Sequence, residues 1–368
     1  MVANHKQHLG VIEPPLQSLT ELRKIAITIG DVGGIGPEII IKALNSPELS
    51  VNPEEILLIG NKNLFYKTAT ELGFAFSEEI EFFDLPLDLS KVIIGKPTIE
   101  AGKHSFLAVK TACELALKEK VRAIVTAPTS KEAINNAGYN YTGQTEILEK
   151  FLGGEQENLS SPEMLFIAKN LRVMLLTRHV KIDSISSVLT IDGIIKSILA
   201  LNNSLIKDFN LVKPRIAICG LNPHAGENGL LGDEENCIIK PALNILRNKH
   251  KISIEDPLPA DTLWAKTANT YLKGENLSYD AYIACYHDQG LIPVKMLAMD
   301  KAVNTTINLP VIRTSPSHGT AYDIAGQNKA NCQSMIEAIN LANILGNRSK
   351  NLKDDKHEKP GLEGCNSF

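Results

Sequence analysis

No stretch of this 368-residue chain approaches the roughly 20 consecutive apolar residues of a membrane-spanning helix. No membrane span is therefore expected. The N-terminal MVANHKQHLGVIEPPLQSLTELRK lacks the apolar core of a signal peptide, which argues against export. Basic charge is not in excess. A formal net charge of −4 gives no general attraction for nucleic acid or anionic lipid. The six cysteines, at 113, 219, 237, 285, 332 and 365, include no CxxC pair and no regular spacing. Cys219 and Cys285 fall inside apolar segments, where a reduced thiol behaves as a small hydrophobe. These absences together point to a reduced, cytoplasmic protein. No internal repeat is visible, and the dinucleotide fingerprint GxGxxG does not occur.

What is present is an alternation of short apolar runs and amphipathic segments. KIAITI, EILLIG, VRAIVTA, MLFIA, RVMLLT, PRIAICG and YDAYIACY read as strands, with helix-like segments such as FLAVKTACELALKEK and IDGIIKSILALNNSLI between them. That pattern predicts an α/β fold with a largely parallel sheet covered by helices on both faces. The length favours two domains. The polar ends, 1–23 and 347–368, read as flexible tails without chemistry.

Polar and glycine-rich loops follow several of the predicted strands. In ITIGDVGGIGPEII a strand runs into Gly30, Asp31, Gly33, Gly34 and Gly36, and Pro37 opens a helix. Free N–H groups at such a start hold anions, although a tight turn explains the glycines equally well. TAPTSKEAINNAGYNYTGQTE places Ser130 as a helix N-cap, and puts Gln144 and Thr145 at a second helix start, where Thr145 reads as a cap. Arg313 and Lys295 supply cations, and Asn304 an amide, beside the segment YHDQG. Arginine grips carboxylate or phosphate in two-pronged fashion, while lysine adds a mobile point charge.

Three histidines stand out by position. His179 follows RVMLLT, His224 follows PRIAICG by a few residues, and His287 follows YDAYIACY. The C-terminal ends of parallel strands converge on one edge, and three imidazoles there suit a borderline divalent cation with an open position for substrate. No local spacing signature supports the set, so solvated surface histidines remain the alternative. His318, in a small-residue loop with no apolar strand running directly into it, reads as a weaker candidate.

Taken together, GDVGGIGPE, TAPTSKEAINNAG, GLNPHAGENGLLGDEE, PLPADTLW, YHDQGLIPVK and SHGTAYDIAG resemble, in order, the motifs of the 4-hydroxythreonine-4-phosphate dehydrogenase family of pyridoxal phosphate biosynthesis. The resemblance runs from about Lys24 to Leu345. It implies two α/β/α domains like those of isocitrate and isopropylmalate dehydrogenases, with a cleft between them. The first would span 24–125 plus 300–346 and the second 126–299. It implies NAD or NADP as cofactor and one divalent metal, zinc, magnesium or cobalt, on His179, His224 and His287. Lys295, Asn304, Arg313, Gln144 and Thr145 would bind the small phosphorylated amino-acid substrate. Catalytic work is expected of His287, Lys295 and Asp261, in a homodimer whose active site lies at the subunit interface. Gln144 departs from the pattern GHTE, and a glutamine neither carries charge nor shuttles a proton. Two alternatives stay open: a sister dehydrogenase acting on a four-carbon sugar-acid phosphate, and a non-catalytic metal- or phosphate-binding relative.

Overall fold

A computed structural model describes residues 23–153 and 162–357. The expected tails fall outside these residues except for residue 23 and residues 347–357, where the last helix carries the chain on to His357. The described strands are β1 (Lys24–Thr28), β2 (Ile56–Gly60), β3 (Glu81–Asp84), β4 (Val121–Thr126), β5 (Glu163–Ala168), β6 (Leu171–Leu175), β7 (Arg215–Ile218), β8 (Ser253–Ile254), β9 (Ala281–Ala284), β10 (Val303–Ile307) and β11 (Ile312–Pro316). The helices are α1 (Gly36–Leu44), α2 (Lys62–Leu72), α3 (Ile99–Leu117), α4 (Lys131–Asn136), α5 (Gln144–Leu152), α6 (Ile185–Val188), α7 (Ile191–Lys207), α8 (Lys240–His250), α9 (Ala260–Leu272), α10 (His287–Ala298) and α11 (Gln333–His357).

All eleven strands join one sheet, in the order β3-β2-β1-β4-β11-β10-β5-β6-β9-β7-β8. It is parallel from β3 to β11, antiparallel across β11-β10-β5-β6, and parallel again from β6 to β8. Three antiparallel joints in succession leave the two parallel blocks running in opposite senses. The expected single rim is thus two rims: one at the ends of β1, β4 and β11, the other at the ends of β6, β9 and β7. Strands β1, β2 and β4 are buried at every residue, as sheet strands covered on both faces must be. Their near-continuous apolar sequences follow from that double cover.

The packing that seats the first rim centres on α3. Thr98 caps this helix by accepting from the Ala101 N–H at 3.3 Å. One turn in, an added Cβ at Gly102 would stand 1.9 Å from the Ala133 carbonyl oxygen, so only glycine lets α4 lie this close. α4 is itself capped by Ser130, as its sequence predicts, with the Ala133 N–H donating at 3.1 Å. The loop 127–130 is thereby pinned between the end of β4 and α3.

His104, also on α3, is buried beside the Leu85 backbone. Burial pushes its pKa down from 6.5 to about 4. The unfolded chain therefore takes up a proton between those values that the folded chain refuses. Stability should be at its fullest above pH 6.5, fall as the pH drops towards 4, and lose nothing further from this residue below that. His104→Leu should flatten that slope in denaturant titrations, by about 3 kcal/mol across the window. An unchanged slope would mean that the ring is solvated in the folded protein.

Candidate active site

A cavity of ≈ 230 Å³ opens where the antiparallel strands join the two blocks. Its wall takes Thr126 from the end of β4, Thr129 and Lys131 from the pinned loop and α4, and Gly143–Glu146 from the start of α5. Met164 of β5, Arg178 and His179 beyond β6, Asn304 of β10, Arg313 and Ser315 of β11, and His318 complete it. Helix α5 begins at Gly143 with no side-chain cap, which leaves its first N–H groups for another acceptor. Thr145, expected as that cap, is instead a buried residue of the first turn.

The dominant charge in this wall is Arg313. It is buried, and no carboxylate lies within ion-pair distance of it among the described residues. Its Nε and Nη2 donate to Thr126 Oγ1 at 3.2 and 2.6 Å, Nη1 to Thr306 Oγ1 at 2.9 Å, and Nη2 also to Gln144 Oε1 at 2.6 Å. Burial lowers its pKa to about 10, still far above neutrality. A cation surrounded by neutral oxygens is an anion site awaiting its anion. Nearby, Asn304 Oδ1 is buried with no donor to satisfy it among the described residues, which calls for an N–H or O–H from a ligand. Lys131 adds positive charge, Arg178 stands in the wall paired with Glu163 at 3.7 Å, and Glu146 is the acid that lines it.

Asp31 proves to be a structural tie. Its Oδ1 accepts from the Gly33 N–H and its Oδ2 from the Tyr322 hydroxyl, both at 2.8 Å. The Ile35 N–H donates to the Thr320 carbonyl at 3.0 Å, so the first glycine loop and the loop carrying His318 are laced together. Burial raises the Asp31 pKa against the pull of these bonds.

At the second rim, β6, β9 and β7 are adjacent and parallel, so the loops bearing His179, His287 and His224 leave the same edge. The His179 and His287 rings stand 5.8 Å apart, centroid to centroid. His287 Nδ1 is 2.6 Å from Asp288 Oδ1, which fixes the ring and frees Nε2, the arrangement usual for a metal-bound imidazole. His224 is exposed in a turn of left-handed backbone from His224 to Asn228, a conformation that costs non-glycine residues about 1 kcal/mol each. Asn222, bonded to Glu234 and Glu235 at 2.7–2.9 Å, props that turn. Among the described residues no three His, Cys, Asp or Glu side chains gather closely enough to hold a metal. The donor chemistry fits a divalent cation, but one chain does not assemble the full set.

Of the residues expected in the site, His179, Gln144, Thr145, Asn304 and Arg313 meet in the cavity. His224, His287, Lys295 and Asp261 do not line it. Lys295 is exposed on α10, and Asp261 opens α9 beside a separate shallow groove with Asp288, Gln289, Ile292 and Met296. His318, read as weak, does line it: β11, a mostly polar strand, ends two residues before it. Lys131, Tyr141 and Arg178 also went unremarked. Adjacency to His179 was the one signal available for Arg178.

The profile of the pyridoxal phosphate biosynthetic protein PdxA family matches residues 48–342. The chain belongs to that family. A 4-hydroxythreonine-4-phosphate dehydrogenase from Synechococcus sp. (strain JA-3-3Ab) is 40% identical over 336 residues, covering 87% of this chain and 94% of the relative. The crystal structure of a 4-hydroxythreonine-4-phosphate dehydrogenase from Klebsiella pneumoniae aligns with TM-score 0.76 at 35% identity, over 88% of this chain and 99% of that one. A terephthalate 1,2-cis-dihydrodiol dehydrogenase from Burkholderia xenovorans LB400 aligns with TM-score 0.59 at 29% identity, over 88% of this chain and 98% of that one. Membership of the PdxA family accords with the ordered motifs of the sequence. Among the described residues, no single helix is long and apolar enough to cross a membrane.

Proposed function

We propose that this chain is an NAD(P)-dependent 4-hydroxythreonine-4-phosphate dehydrogenase. It oxidises the C3 alcohol of 4-phosphooxy-L-threonine to give the β-keto acid 2-amino-3-oxo-4-phosphooxybutanoate, which loses carbon dioxide to give 3-amino-2-oxopropyl phosphate. The observation that carries this reading is the buried Arg313, held only by neutral oxygens in a cavity walled by PdxA-family motifs. Arg313, Lys131 and the uncapped N–H groups at the start of α5 supply what a phosphate and a carboxylate require. Asn304 Oδ1, lacking a donor, suits the substrate's ammonium or hydroxyl. When bound, a divalent cation on His179, His224 and His287 supplies Lewis acidity, and a nicotinamide supplies the hydride acceptor. The protein's own groups bind and orient the substrate so that its secondary alcohol faces them.

The proposal includes a homodimer. His224, His287, Lys295 and Asp261 lie outside the cavity of their own chain, and the metal set is completed where two copies meet. It also places the cleft between a lobe of 24–125 plus 300–346 and one of 126–299. A reducing, cytoplasmic setting suits the free thiols of Cys113, Cys219, Cys237, Cys285 and Cys332.

The test is nicotinamide reduction with 4-phosphooxy-L-threonine and with a four-carbon sugar-acid phosphate, each with and without a chelator. Chelator-sensitive turnover of the phosphooxythreonine is expected. Preference for the sugar acid would move the chain to the sister activity, and no turnover of either would leave a binding protein.

A further inference from the structure

Gln144 holds its place by bonds to protein groups alone. Its Nε2 donates to the Ala127 carbonyl at 3.1 Å and to Thr129 Oγ1 at 2.9 Å, and its Oε1 accepts from Arg313 Nη2 at 2.6 Å. An amide nitrogen has two hydrogens, so both are engaged and none is left to donate to a ligand. Arg313 has five N–H donors, of which four bonds to Thr126, Thr306 and Gln144 are made, so one donor on Nη1 and the whole positive charge remain. Every acceptor around the guanidinium is uncharged.

We propose that Gln144 is a positioning residue that aims the Arg313 guanidinium at the cavity while leaving its charge uncompensated, acting on substrate through Arg313 rather than by contact. This deepens the reading of the cavity as the phosphooxythreonine site and rests on it for the substrate named below. Two requirements meet at this position. The side chain must accept one strong bond from a cation, and it must donate to two oxygens on the 127–129 loop. A carboxylate meets the first and violates the second. An imidazole has one acceptor nitrogen, and loses it on protonation. The amide meets both at any pH. The other charged or titratable groups facing the cavity are Lys131, Tyr141, Glu146, Arg178, His179 and His318. They are common to the wild type and its variants, so a ratio between the two isolates position 144.

Three substitutions test this. Gln144→Glu puts a carboxylate on the guanidinium. It should raise KM for 4-phosphooxy-L-threonine roughly tenfold or more, with a smaller change in kcat. It should also abolish the rise in melting temperature that inorganic phosphate gives the wild type. Gln144→His should bind progressively worse, relative to wild type, as the pH falls from about 8 to about 5.5, because imidazolium cannot accept from Arg313. Gln144→Met keeps the volume, removes the acceptor, and should raise KM even should the glutamate variant fail to fold. Wild-type KM and a wild-type phosphate shift in Gln144→Glu or Gln144→Met would overturn the proposal, as would a flat pH ratio for Gln144→His. A wild type that shows the phosphate shift, loses it in Gln144→Glu, yet never oxidises 4-phosphooxy-L-threonine would sink the activity and sustain this role.

Discussion

Arg313→Met should raise the KM for 4-phosphooxy-L-threonine by roughly a hundredfold or more, without a matching loss of stability. The first half follows from charge. Removing the buried partner of an anion costs about 2–5 kcal/mol, because the substrate group then enters a site with no cation to meet it. The second half follows from desolvation. Arg313 is buried and, among the described residues, hydrogen-bonded to the neutral oxygens of Thr126, Thr306 and Gln144, and a guanidinium without a counter-ion is itself expensive to bury. Methionine of similar length removes that cost, so the melting temperature should change little or rise, although Gln144 Oε1 loses a donor. Arg313→Lys should fall between, keeping the charge but losing the fork that spans Thr126 and Gln144. Kinetics and thermal melts on the same preparations check both halves. A variant that binds normally, or that simply fails to fold, would show the arginine to be structural.

That arginine also marks the limit of what the sequence makes legible. Segments such as KIAITI and VRAIVTA read as strands because burial on both faces demands unbroken apolar runs. β10 (VNTTI) and β11 (IRTSP) do not read that way. They pair antiparallel with each other, and Asn304, Arg313 and Ser315 are polar where they line the cavity, so function interrupts the pattern that would announce them. Without those two strands the sheet appears to have one rim, and His318 appears to follow nothing. The histidines at the ends of β6 and β9 were legible because strand ends are marked by a change from apolar to polar residues, and the His179–His287 proximity follows from β6 and β9 being neighbours. Arg313 and Asn304 were legible as binding groups from their chemistry beside YHDQG, whereas Gln144 and Thr145 entered the substrate site through motif resemblance. Nothing in local composition tells a glutamine that grips an arginine from one that faces water.

Placing an aspartate at Ile292 and at Met296 together should convert the protein to a monomer and abolish turnover, while leaving the fold of each chain in place. The argument starts from exposure. Ile292 is 56% exposed and Met296 81%, on the same helix that begins at His287 and carries Lys295, and Met299, just past its end, is 71% exposed. Ile182, three residues after His179, is 80% exposed, and Leu230, six after His224, is 77% exposed. Exposed large apolar residues therefore follow each of the three histidines within six positions, on the segments where, among the described residues, a single chain leaves the metal set incomplete. Scattered exposed leucines need no explanation, but an apolar collar around an incomplete polar site suits a partner surface. A second copy satisfies both needs at once, since a two-fold interface brings the same surface together twice. Desolvated carboxylates facing each other across such an axis cost several kcal/mol, enough to dissociate a dimer of ordinary affinity. Sedimentation velocity reads the mass, circular dichroism the fold, and nicotinamide reduction the activity. Loss of dimer and activity together is expected. A monomeric variant that still turns over substrate would show that one chain contains the whole site, and that the collar serves some other contact.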